Sequence, residues 1–145
     1  MATANPRGHA RPLLHPGFVG AGAALLIAAV VTDYMYYSTS LWQWANFSAW
    51  LITGGLVFAL IAAIFVLVDL ALGRTGRIDW VHLMLLAAAA LLSLVNVFVH
   101  SRDAWTSVVR QGILLSAVVT VLLLIVGIRG WDVTSVRTSS PGDRP

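Results

Sequence analysis

Two groups of polar and ionisable side chains hold whatever chemistry this chain has. The first is His15, Asp69 and His82; the second is Asp33, Asn96, His100, Arg102 and Arg110, with Asp103 and Gln111 beside them. Two neutral imidazoles facing each other across a porphyrin can ligate a b-type haem, which makes His15 and His82 candidate haem ligands. The same two histidines with Asp69 form a two-histidine, one-carboxylate set, the alternative reading as a metal site. A plainer reading has Asp69 accept a hydrogen bond from a histidine, or pair with Arg74 or Arg77, and so stitch helix ends together. In the second group, Asp33 beside Arg102 or Arg110 reads as an interfacial ion pair, and His100 as a residue able to accept a proton from a quinol. Cysteine is absent, which excludes disulfides, Fe–S clusters and thiolate ligands. No nucleophile-plus-base arrangement and no HExxH helix motif appears, which speaks against a hydrolase and for a chain without catalytic activity of its own.

The elements that must position these residues are four apolar runs, at about 17–37, 44–72, 78–100 and 107–129. A hydrocarbon core about 30 Å thick is crossed by roughly 20 apolar residues in a helix, so each run can span a bilayer. A charged fraction of 10% and a mean hydropathy of +0.85 lie far from the roughly 25% charged residues of soluble domains. The expected fold is all-α, an integral membrane four-helix bundle running up-down-up-down over residues 15–131, with a mobile tail at 1–14 and a disordered one at 132–145. Lipid tails are as apolar as leucine, so helices should associate through small residues. Gly17, Ala21, Ala24 and Ala28 on the first helix, Gly55, Ala59 and Ala63 on the second, and Ala87 to Ala90 on the third are the expected faces.

Helical geometry then sorts the polar groups by level. His15, Asp69 and His82 fall at one end of the bundle, and Asp33, Asn96, His100 and Arg110 at the other. On the third helix, 18 residues separate His82 from His100, about five whole turns, so both point the same way, with Ser93 and Asn96 close to that line. The stripe is a ligand-bearing or proton-passing face in one reading and interhelical hydrogen bonding in the other.

All nine basic residues are arginines, and they mark topology rather than a nucleic-acid surface. Seven of them, Arg7, Arg11, Arg74, Arg77, Arg129, Arg137 and Arg144, share one side, which by the positive-inside rule is the cytoplasm, with both termini there. Trp42, Trp44, Trp105, Tyr34, Tyr36 and Tyr37 are expected at the outer boundary, and Trp80 and Trp131 at the inner one. A signal peptide over residues 1–40 is the rival reading of the first run; Thr32 to Tyr37 is too bulky for a small-x-small cleavage site.

His15-Pro16, Asp33, Trp50 with Gly54-Gly55 and Asp69, and Arg77 with His82 and Asn96 together resemble a bacterial inner-membrane family, domain of unknown function number twenty-two thirty-one. The resemblance covers about residues 14–129. It implies a four-helix membrane domain, and it implies electron transfer or anchoring, since some relatives are joined to Rieske-type domains or accompany periplasmic sugar dehydrogenases. The chain departs from the pattern in Gly17 to Gly22, where a proline commonly follows early in the first helix. The leading expectation is therefore a bacterial inner-membrane anchor or accessory subunit for a redox partner or quinone, carrying one haem b. The alternative is an oligomeric small transporter or channel component that uses the polar face of the third helix.

Overall fold

Proline in the first turn, where the N–H has no helical partner, lets α1 start at once at His15 and run to Thr39. It stops where Ser40 takes a left-handed conformation and donates its N–H to the Tyr36 carbonyl at 2.8 Å. The computed structural model describes residues 13–101 and 108–136. Along them follow α2 (Trp42–Ala71), strand β1 (Thr75–Ile78), α3 (Trp80–His100), a π-helical turn (Val108–Gly112), α4 (Ile113–Arg129) and strand β2 (Thr134–Val136). The expected N-terminal tail lies, but for its last two residues, outside the described residues. At 30 residues, α2 is about 45 Å long and exceeds the hydrocarbon thickness, so it must tilt or project.

Consecutive helices are antiparallel. From one end of the α1–α2 pair to the other, Phe18 stacks on Phe65 with ring centroids 5.2 Å apart, Gly22 meets Gly55, and the Ser48 hydroxyl donates to the Ala29 carbonyl at 3.4 Å. The tight point is Gly22 against Gly55. A Cβ on Gly22 would lie 3.0 Å from the Gly55 carbonyl oxygen, and one on Gly55 would lie 2.6 Å from Leu26 Cγ. The buried face of α1 is thus Val19, Gly22, Ala23, Leu26, Ala29 and Asp33, not the expected Gly17, Ala21, Ala24 and Ala28; Ala24 is exposed and nothing lies within 4 Å of a Cβ on Gly17. With small residues on every side of α1, the face that packs is set by where Gly55 and Leu26 interlock.

A shared core of Ala23, Leu26, Ala29, Ile52, Ala89, Val119 and Leu123 joins all four helices. Outside it the pattern is that of a lipid-facing surface. Trp50, Leu60, Leu67, Met84, Leu91 and Ile128 are all exposed, in a band along the whole length of the helices.

The departure from an all-helical chain is small and consequential. The segment expected to be the start of a disordered tail forms β2, which pairs antiparallel with β1 through Thr75 with Val136 and Ile78 with Thr134, across an irregular register. The Asp79 N–H also donates to the Val133 carbonyl at 3.0 Å. Residues 78 and 79, expected to be helical, belong to this ribbon and to the cap of α3. Trp131, expected among the boundary aromatics, packs beside Gly20 and Gly127 and links α1 to α4. Tyr36 is buried, whereas Tyr34, Tyr37, Trp42 and Trp80 are exposed.

Candidate functional site

At the end of the bundle opposite the ribbon, α1, α3 and the start of α4 meet on polar atoms. α1 contributes Asp33. Asn96 and His100 lie one turn apart on α3, and Gly112 and Ser116 lie one turn apart on α4 and the π-helical turn that opens it. His100 Nε2 is 2.8 Å from Asp33 Oδ1, and His100 Nδ1 is 2.9 Å from the Asn96 carbonyl. The Ser116 hydroxyl donates to Asp33 Oδ2 at 2.5 Å, and the Asn96 amide donates to Ser116 Oγ at 2.7 Å. The side chains of His100 and Asp33 are 1% and 0% exposed.

The donor and acceptor count defines what this centre holds. The Asn96 carbonyl can only accept, so His100 Nδ1 must carry a hydrogen. Nε2 and Oδ1 then share one proton along their line, as imidazolium with carboxylate or imidazole with carboxylic acid, and the pair is neutral in both forms. That neutrality is what the apolar surroundings demand, since a lone Asp at a helix centre in a membrane is disfavoured by about 2.5–3.5 kcal/mol. The order of contacts is not that of a nucleophilic triad, because the serine hydroxyl points at the carboxylate and not at the imidazole.

The π-helical turn places α4 against the imidazole. A Cβ on Gly112 would lie 2.9 Å from His100 Cε1, so only glycine allows this approach; π-turns recur where function needs a helix locally re-aimed. Asp33, Asn96 and His100 of the expected outer group are thus brought together. Arg110 is exposed and Arg102 lies outside the described residues, so the Asp33 carboxylate faces His100 and Ser116 and not Arg110. Ser116 and Gly112 escaped the sequence reading; the signal that could have found them is their four-residue spacing in an otherwise apolar helix.

The other group does not converge. Asp69 pairs with Arg74 at 3.6 Å, as the plain reading expected. His82 sits in the first turn of α3, where Asp79 caps the helix: its Oδ1 accepts the His82 N–H at 3.1 Å and its Oδ2 lies 3.0 Å from His82 Nδ1. His82 Nε2 is 3.2 Å from the Gly130 carbonyl. His15 is fully buried and its Nε2 accepts the Val133 N–H at 3.3 Å, so the ring proton is on Nδ1, which has no partner among the described residues. These residues do not fit a haem as folded: both His82 nitrogens face protein oxygens, and His15 Nε2 is taken by the backbone. Nor do His15, Asp69 and His82 form the expected metal set, for among the described residues no three such side chains are grouped to hold an ion.

The Asp79 carboxyl is held below the usual carboxylate range, first by the His82 backbone N–H and then by the His82 ring. A carboxylate so held adds stability above its unfolded pKa, and that stability is lost as pH falls through the lower folded value. Asp79→Asn keeps a capping oxygen without the charge. It should make the acid-induced loss of stability below about pH 4 shallower, read from unfolding curves of both proteins at acid and neutral pH.

The polar stripe of α3 is real but broken. His82, Ser93 and Asn96 are buried, yet the 11 residues from His82 to Ser93 span about 16 Å in which the buried residue is Ala89, and Ser93 donates to the carbonyl of Ala89 on its own helix at 2.8 Å. No polar path runs along the bundle interior among the described residues.

Four antiparallel helices long and apolar enough to cross a bilayer, with charge confined to a neutral buried pair and to helix ends, define a multi-pass integral membrane protein. The chain belongs to the predicted membrane protein family DUF2231, whose model matches residues 11–138. No curated protein and no solved structure matches it.

Proposed function

We propose that this chain is a non-catalytic module of the bacterial cytoplasmic membrane, an anchor or accessory subunit for a redox partner, with both termini on the cytoplasmic side. The observation that carries the reading is the closed Asp33–His100–Ser116 centre. Its polar groups face each other across three helices instead of lining an open cleft, as suits a part that fixes a bundle's shape for a partner to recognise. The redox cofactor then belongs to the partner, because His15 and His82 are engaged as described. The arginine distribution supports the orientation, and the association of similar proteins with Rieske-type domains and sugar dehydrogenases supports the redox setting.

Native gel electrophoresis of gently solubilised membranes, stained for redox-dye reduction and for haem, tests this. The chain should co-migrate with a redox-active band and lose it in Asp33→Ala. Migration alone or as a homo-oligomer, together with solute or ion flux in liposomes, would overturn the reading in favour of a transporter.

A further inference from the structure

We propose that the cleft between α2 and α3 holds one acyl chain of an anionic phospholipid whose phosphate is met by the arginines at the ribbon end. The cleft has a volume of about 390 Å³, and its walls are apolar throughout. Ala59 and Ala63 on one side and Ala87 and Ala90 on the other are residues that ordinarily let two helices close to contact. They do not close here, and the ribbon explains why. Pairing of β1 with β2, the Asp79 to Val133 bond and the His82 to Gly130 contact tie the start of α3 to the end of α4, while Gly22 and Gly55 hold α2 on α1. The gap is set by these attachments, so the surrounding hydrocarbon must fill it.

Its length identifies the occupant. The lining runs from Leu70 to Ala59 on α2 and from Trp80 to Ala90 on α3, which is about 15–16 Å of helix, or half of a core about 30 Å thick. A partner helix or a second copy would run the full thickness; an acyl chain of one leaflet runs this far and stops. The cleft opens at Leu70, Ile78 and the exposed Trp80, between which lie the exposed Arg74 and Arg77. Among the described residues the aspartates at this end are Asp69, 3.6 Å from Arg74, Asp79, bonded to the start of α3 and to His82, and the exposed Asp132; Arg129 is also exposed there. Guanidinium groups bind phosphate in two-pronged fashion, and basic pockets between helices at this depth select anionic headgroups.

Native mass spectrometry of the delipidated full chain, titrated with dioleoyl phosphatidylglycerol or dioleoyl phosphatidylcholine, tests the assignment. The expected result is one phosphatidylglycerol per chain, preferred about tenfold over phosphatidylcholine, the factor for one or two arginine contacts at a charged surface. Ala63→Phe with Ala87→Phe, both at exposed positions, should abolish binding of either lipid, and Ala63→Leu should weaken it if the aromatic pair does not fold. Arg74→Gln with Arg77→Gln should erase the preference while leaving the cleft able to take a chain. Unchanged binding in the cleft-filled variants, equal affinity of wild type for the two lipids, or a lipid-free dimer dispersed by Ala63→Leu would each overturn the proposal.

Discussion

Asp33→Ala is expected to destabilise the bundle by about 3–5 kcal/mol, the range for removing one partner of a buried charged pair. The variant leaves His100 Nε2 and the Ser116 hydroxyl without their acceptor, at positions where the side chains of Asp33 and His100 are 0% and 1% exposed. Three helices lose their common polar contact at once. Asp33→Asn separates charge from shape. Its amide oxygen can still accept from Ser116, and its amide N–H can donate to a neutral His100 Nε2 whose Nδ1–H stays on the Asn96 carbonyl, so the loss should stay within about 1 kcal/mol. Equilibrium unfolding in bicelles, with Asp33→Ala, His100→Ala and the double variant as a cycle, reads the coupling directly. A coupling near zero, or Asp33→Ala as stable as wild type, would show that the pair does not hold α1 to α3.

The second large effect belongs to the α1–α2 contact. Gly55→Leu should cost about 3 kcal/mol, at the upper end for overpacking, because its first side-chain carbon would meet Leu26 Cγ at 2.6 Å, Leu26 Cδ2 at 2.7 Å and the Gly22 carbonyl at 3.1 Å. Leu26 can turn aside, but the Gly22 carbonyl is backbone and the helices must part. The better helix propensity of leucine, worth at most about 1 kcal/mol over glycine, acts the other way and is too small to win. Gly17→Leu is the control. It gains the same propensity with nothing within 4 Å of the new Cβ, and its stability should stay within about 0.5 kcal/mol of wild type or rise. Thermal unfolding of the two variants in the same detergent gives the comparison; equal midpoints would show that the Gly22–Gly55 approach is not a constraint.

Much of the site is legible in the sequence. The grouping of Asp33, Asn96 and His100 at one level follows from the 3.6-residue turn and alternating helix direction, and so does the alignment of His82 with His100 on one face of α3. The Asp69 to Arg74 pair follows from adjacency beyond a helix end. Weight and pairing are not legible in it. His15 and His82 read as a facing pair, yet each finds a nearer partner: a backbone N–H from the segment leading to β2, and the aspartate that caps its own helix. The sequence offers Asp33 an arginine of opposite formal charge, whereas burial rewards a compact donor set such as one imidazole and one hydroxyl.

The amino-acid order by itself determined that four segments cross the membrane and that the charges within them require partners, since transfer into hydrocarbon depends on the composition of a segment and on little else. The tertiary structure alone decided which atoms meet. Asp33 finds His100 and Ser116 across 67 and 83 residues of sequence, α1 turns Gly22 rather than Gly17 towards its neighbour, and a strand after α4 ties down the start of α3. The physical reason is that lipid rewards every face of an apolar helix alike. Rotation about each helix axis is therefore left to the interlocking of neighbours and to the few hydrogen bonds that only one rotation can satisfy.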